Sequence, residues 1–182
     1  MSVKKITVIG LLAIGLCVFA YGSFISAVGV SDKNEDFVKS KEINPSKINV
    51  SQRDSIVSFA TELLGTPYVE ASSDRNGFDC SGFVYFVFKN HKIQVPRSSQ
   101  GFSNFGKEIS IENVKKGDIL VFLSPTSNRI GHVGIVTNPK GKQSDFIHAS
   151  SGREMKVIIT SLKQEGYARR FVKAVDVLST YD

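Results

Sequence analysis

Apolar and polar positions divide the chain into stretches of different character. From Ile6 to Val30 the sequence is apolar and uncharged, and Lys4 and Lys5 precede it. A run of that length exceeds the roughly 20 residues needed to cross a bilayer. It predicts that residues 1–30 form an export signal or an N-terminal membrane anchor, with the two lysines on the cytoplasmic side. Residues 31–50 are rich in Lys, Asp, Glu, Asn and Ser and read as a polar linker. Ser51-Gln52-Arg53-Asp54 then opens a segment with apolar residues at helical spacing through Leu64, ended by Gly65 and Pro67. Thr66 to Val69 should be extended, and Glu70 to Asn76 forms a polar loop. A second, strongly apolar run, Phe83-Val84-Tyr85-Phe86-Val87-Phe88, has the length and composition of a buried helix ending near Asn90-His91-Lys92. His91 belongs to the solvent-facing last turn. From Val95 through Lys107 the chain reads as loop or short helical turns.

Five short β-branched or aromatic runs follow, around Ile119–Leu123, His132–Thr137, Asp145–Ser150, Met155–Thr160 and Arg170–Val175, separated by turn residues. Helices followed by strands predict an α+β domain over 51–182, with a central helix packed on an antiparallel sheet.

Composition changes this picture little. The chain has 182 residues, 41% hydrophobic and 22% charged, which suits one globular domain with a leader. The formal charge of +6 falls to +4 without Lys4 and Lys5, leaving 21 basic against 17 acidic residues. Such a domain is drawn to anionic polymers or headgroups. No dense basic stripe with interleaved aromatics marks a nucleic-acid partner. The domain is expected to be a monomer that touches membrane only through its N-terminal segment.

The chemistry concentrates at Gly77-Phe78-Asp79-Cys80-Ser81-Gly82, where a glycine turn delivers a cysteine to the start of the buried helix. Unpaired backbone N–H groups and the positive helix end favour a thiolate there, and Asp79 fits as the cap. Cys17, the other cysteine, sits inside the leader as a passive apolar residue. Cys80 is therefore unpaired in a compartment where cysteines normally form disulfides, which favours a working thiol. Two of the three histidines, His132 and His148, fall on successive strands, close enough to form an imidazole pair pointing at the helix of Cys80. Cysteine, base and orienting residue are then all available. A zinc site on the same three residues would lack an obvious fourth protein ligand.

Gly65-Thr66-Pro67-Tyr68, Gly77-Phe78-Asp79-Cys80-Ser81-Gly82, Pro96-Arg97-Ser98, Lys116-Gly117-Asp118 with its apolar run, Gly131-His132-Val133-Gly134 and Ile147-His148-Ala149 together resemble, in order, the motifs of NlpC/P60-type cell-wall cysteine peptidases. The resemblance covers about Ser51 to Val177. It implies a papain-like fold, a Cys80-His132-His148 triad and hydrolysis of peptidoglycan stem peptides between D-glutamate and a diamino acid, commonly meso-diaminopimelate. It also implies substrate contacts for Tyr68, Asp79, Ser81 and Arg97, with no metal or cofactor, in the cell envelope. Val69-Glu70-Ala71-Ser72 departs from the aromatic and paired glycines common after the Pro-Tyr motif, which alters a substrate-facing loop. Competing readings are an amidase or acyltransferase on the same fold, or a catalytically silent wall-binding module.

Overall fold

The structure is a computed structural model that describes residues 45–179. The predicted leader, and most of the predicted linker, lie outside the described residues. Among the described residues no helix is long and apolar enough to cross a membrane.

The first helix, α1, spans Pro45–Glu62 and begins earlier than the Ser51–Asp54 start read from the sequence. Proline suits a first helical position, where the missing N–H would have no partner. Arg53, Ile56, Ala60 and Leu63 are buried from this segment, a spacing of three and four residues that sets one face against the core. The second helix, α2, spans Cys80–Asn90 and buries Phe83, Val84, Val87 and Phe88 completely. His91 caps its C-terminus, and its Nδ1 lies 2.9 Å from the Val87 carbonyl.

Ahead of α2 lies a hairpin of two short strands, β1 (Ser73–Asp74), within the Glu70 to Asn76 stretch expected to be loop, and β2 (Gly77–Phe78), at the expected glycine turn. The main sheet contains β3 (Lys107–Ile109), β4 (Ile119–Leu123), β5 (Ile130–Asn138), β6 (Asp145–Ser150), β7 (Lys156–Ser161) and β8 (Phe171–Asp176). A one-turn helix, α3 (Glu165–Ala168), joins the last two. The strand order is β3-β8-β4-β5-β6-β7, antiparallel throughout. The five expected runs are β4 to β8. The sixth strand, β3, has no apolar run of its own and is added by pairing at the edge with the end of β8.

Alternation along the strands divides the core. Ile119, Val121, Val133, Ile135, Ile147 and Ala149 face α1 and α2, whereas Leu120, Phe122, Val136, Phe146 and Ala174 face a second cluster with Tyr167 and Phe171. Buried Arg53 ties α1 to the sheet, donating to the Lys116 carbonyl at 2.8 Å, to Asp118 at 2.6 Å and to Asp176 at 2.9 Å.

Candidate active site

The start of α2 is held by a dense knot of hydrogen bonds. Asp79 Oδ1 accepts from the Gly82 N–H at 2.6 Å, from the Ser81 hydroxyl at 3.2 Å and from Arg97 Nη1 at 2.9 Å. Its Oδ2 accepts from Arg97 Nη2 at 2.8 Å, and the same Nη2 reaches the Ser72 carbonyl at 3.1 Å. Gly82 makes this convergence possible, because a Cβ there would lie 2.0 Å from the Ser72 oxygen and 3.1 Å from Arg97 Nη2. Asp79, Ser81 and Arg97 thus spend most of their hydrogen-bonding capacity on the protein itself, and they fix where Cys80 begins the helix.

On the sheet, the two histidines come from neighbouring strands. His132 Nε2 lies 3.0 Å from His148 Nδ1, with the rings nearly perpendicular. His148 Nε2 lies 3.0 Å from Thr160 Oγ1, so the chain of side chains runs from β5 through β6 to β7. All three are buried, His148 completely. Gly134 creates the room, since a Cβ at that position would lie 2.5 Å from the Phe146 ring and 3.2 Å from His148 Cβ.

The pair does not point at the body of α2, as the strand positions alone suggested. It lies on the opposite face of the sheet, where the His132 ring is 5.8 Å from Phe122 and 5.9 Å from Tyr167, and His148 is 4.8 Å from Phe146. The cysteine meets it around the end of β5. There the register slips, with Phe122 opposite His132 and Leu123 opposite Ile130, so Gly131 is the extra residue of a bulge. A bulge redirects neighbouring side chains. The Gly131 carbonyl accepts a weak hydrogen bond from Cys80 Sγ at 3.7 Å, and Cys80 and His132 line one cleft. The cleft, of about 190 Å³, is completed by Tyr68, Pro125, Gly131, Ser151, Gly152, Tyr167 and Arg170.

Burial governs the electrostatics. It pushes the Cys80 thiol up, and the Asp79 carboxylate adds to the effect; backbone N–H groups of Ser81, Val133 and Cys80 act in the other direction and are outweighed. The thiolate expected from the helix terminus is therefore not the favoured resting form. Burial also holds His132 well below the usual imidazole range, helped by His148 and Arg170, and lowers His148 to about 4. Tyr68 is raised by burial and by Cys80, which keeps its hydroxyl protonated. Thiol and imidazoles are neutral at rest. Among the described residues no three His, Cys, Asp or Glu side chains are arranged to hold a metal ion.

Of the residues singled out in the sequence, the structure brings Tyr68, Cys80, His132 and His148 to the cleft and its supporting chain. Asp79, Ser81 and Arg97 lie at the base of the same helix. Sequence reasoning missed Thr160, Tyr167 and Arg170. Thr160 carried the signal of strand alternation two strands from His132, but Tyr167 and Arg170 arrive through α3, which no periodicity announces.

A cysteine at the start of a buried helix, sharing a cleft with a histidine of an antiparallel sheet, defines a papain-like cysteine peptidase. The chain belongs to the NlpC/P60 family, whose model matches residues 65–176. It is 31% identical over 162 residues to the murein DD-endopeptidase/murein LD-carboxypeptidase MepS of Escherichia coli K12, covering 88% of this chain and 77% of that protein. It is also 31% identical over 122 residues to a gamma-D-glutamyl-L-lysine dipeptidyl-peptidase of Bacillus cereus, covering 66% of this chain and 35% of that one. Among solved structures, an NlpC/P60 family protein from Bacillus cereus superposes with a TM-score of 0.62 at 31% identity, over 69% of this chain and 40% of that chain. The NlpC/p60 domain of the peptidoglycan hydrolase SagA superposes with a TM-score of 0.56 at 30% identity, over 68% of this chain and 97% of that domain.

Proposed function

We propose that the protein is an endopeptidase of bacterial peptidoglycan that cuts stem peptides between D-glutamate and a diamino acid, with Cys80 as nucleophile, His132 as base and acid, and His148 as orienting residue. The observation that carries this reading is that Cys80 shares one cleft with neutral His132, whose ring is linked through His148 to Thr160. Relatives named for murein and for γ-D-glutamyl bonds supply the substrate class.

The tautomers follow from the chain. To take the thiol proton on Nδ1, His132 must donate from Nε2 to His148 Nδ1. His148 then carries its own proton on Nε2 and donates it to Thr160 Oγ1. With a thiol and a neutral imidazole at rest, proton transfer to His132 accompanies attack of the sulfur on the scissile carbonyl. The tetrahedral oxyanion is held by backbone N–H groups at the start of α2 and by the Tyr68 hydroxyl. Imidazolium at His132 then protonates the leaving amine, which departs and leaves a thioester on Cys80. Water, deprotonated by His132, releases the acyl fragment and restores the thiol. Asp79, Ser81 and Arg97 serve by fixing the helix start from which Cys80 projects.

Mass analysis of muropeptides after digestion with purified enzyme tests the assignment. New fragments ending in D-glutamate, paired with fragments beginning at the diamino acid, are expected. Release of D-alanine alone, or cleavage confined to the sugar-linked amide, would point to another bond. Residues 1–30 place this activity in the envelope as an export signal or anchor. A form starting at Ser31 should hydrolyse muropeptides in vitro yet leave the wall unprocessed in cells, and wall processing by that form in cells would contradict the placement.

A further inference from the structure

The cleft contains one fixed charge that the chemistry above does not use. Cys80 and His132 are neutral at rest, and burial raises both Tyr68 and Tyr167, so their hydroxyls stay protonated. The remaining ionised side chain lining the cleft is Arg170. Its Nε donates to the Gly166 carbonyl and its Nη1 to the Leu123 carbonyl, both at 2.8 Å, and its Cζ lies 5.0 Å from the Tyr167 ring centroid. Ser150 and Arg170 act on the Tyr167 hydroxyl in the direction opposite to burial and are outweighed by it.

Every one of these partners is a neutral oxygen or a ring face. Among the described residues no carboxylate pairs with Arg170, whereas Arg53 is paired with Asp118 and Asp176, Arg97 with Asp79 and Arg169 with Glu165. Two carbonyls on different segments hold the guanidinium in place, so little side-chain freedom remains to be lost when an anion arrives. A preorganised, uncompensated guanidinium in a cleft wall is suited to a carboxylate.

Its position decides which part of the substrate it meets. Acyl transfer requires the carbonyl carbon at Cys80 and the departing nitrogen at His132, so residues beyond His132 face the leaving fragment. Tyr167 is 5.9 Å from the His132 ring, and Arg170 lies over Tyr167, on that side. Tyr68, by contrast, is bridged to Phe78, two residues ahead of Cys80, and belongs to the acyl side.

We propose that Arg170 selects substrates whose leaving residue carries a free side-chain carboxylate, the feature that distinguishes a diaminodicarboxylic acid from lysine. This rests on the stem-peptide reading above and adds the identity of the leaving residue to it. The carboxylate docks on the guanidinium edge facing the cleft, while Tyr167 holds the cation from behind.

The test uses wild-type enzyme and synthetic L-Ala-γ-D-Glu-diaminopimelate peptides in which one carboxyl at a time is converted to the carboxamide. Amidation of the diaminopimelate side-chain carboxyl should lower kcat/KM roughly ten- to a hundredfold, as loss of a charge-assisted hydrogen bond does. The lysine analogue should be similarly poor, and amidation of the D-glutamate α-carboxyl should have the smaller effect. In Arg170→Gln the ratio between acid and amide should collapse towards one, and Arg170→Lys should restore part of it. Equal rates on acid and amide with wild-type enzyme would overturn the proposal while leaving the endopeptidase reading intact. A larger effect from the D-glutamate carboxamide would overturn the placement on the leaving side. Cleavage of none of the peptides would overturn the endopeptidase reading itself, and this proposal with it.

Discussion

Three residues on successive strands decide how the imidazoles behave. His132 works only if its Nδ1 is free to accept a proton, and that depends on His148 accepting at Nδ1 and donating at Nε2 to Thr160, at 3.0 Å on each side. Loss of His132 removes the proton carrier, so His132→Ala should abolish hydrolysis. His148→Gln keeps an acceptor for His132 and should leave measurable activity. Thr160→Val removes the acceptor that selects the His148 tautomer, leaves a buried N–H unpaired, and should lower kcat about tenfold with little change in KM. Steady-state kinetics on a stem peptide, with circular dichroism to show that each variant is folded, checks the order. Equal and complete loss in His132→Ala and His148→Gln would count against these roles. The acid limb of kcat/KM should also lie below the usual imidazole value of about 6.5, because burial opposes protonation of the pair. Much of this site was legible in the sequence: a lone cysteine at a glycine turn and two histidines on strands are local signals. The direction of the Cys80 shift was not, because the helix terminus is visible in a sequence and the depth of burial, with Asp79 turned towards it, is not.

Elements matter here through their junctions. The helix α2 and strands β4 to β8 were legible because apolar residues recur there at helical or strand spacing. The hairpin β1–β2 and the edge strand β3 were not, since each is defined by its partner and not by its own pattern. The bulge at Gly131 was equally hidden, yet it is what allows Cys80 to meet His132 around the end of the sheet. A Cβ at Gly131 would lie 2.6 Å from Ser124 Cβ, so the close approach of the β4–β5 turn requires glycine. The other junction is Arg53, which joins α1 to the start of β4 and the end of β8. Asp118 is 1% exposed, and burial raises its carboxyl despite Arg53. Arg53→Met would leave that group without its cation, and should destabilise the domain by about 3 kcal/mol. Urea denaturation checks this, and the double variant Arg53→Met/Asp118→Leu should recover part of the loss. A single variant as stable as wild type would show that the tie contributes nothing.

At the scale of the whole molecule, a site buried for catalysis makes the fold sensitive to acid. His148 is fully buried and its folded-state value is about 4, against about 6.5 for an unfolded imidazole. Between those values the unfolded chain binds a proton that the folded chain does not, so stability rises with pH across the window and is lost as pH falls through it. His148 alone should cost up to about 3 kcal/mol by pH 4, and His132 adds to it in the same direction. Urea midpoints measured from pH 7 to pH 4 should fall steadily, and the slope should flatten in His148→Gln. A midpoint independent of pH over that range would contradict the burial of neutral imidazoles.

Hydrolysis by this site depends on one sulfur atom. Cys80 contributes chemistry and little packing, so Cys80→Ala should fold like the parent and retain its urea midpoint. The direct measurement is turnover of purified Cys80→Ala on a γ-D-glutamyl-diaminopimelate stem peptide, followed by mass spectrometry of the products. Loss of hydrolysis to the uncatalysed rate in a folded variant is the predicted result, and turnover near that of wild type would contradict it.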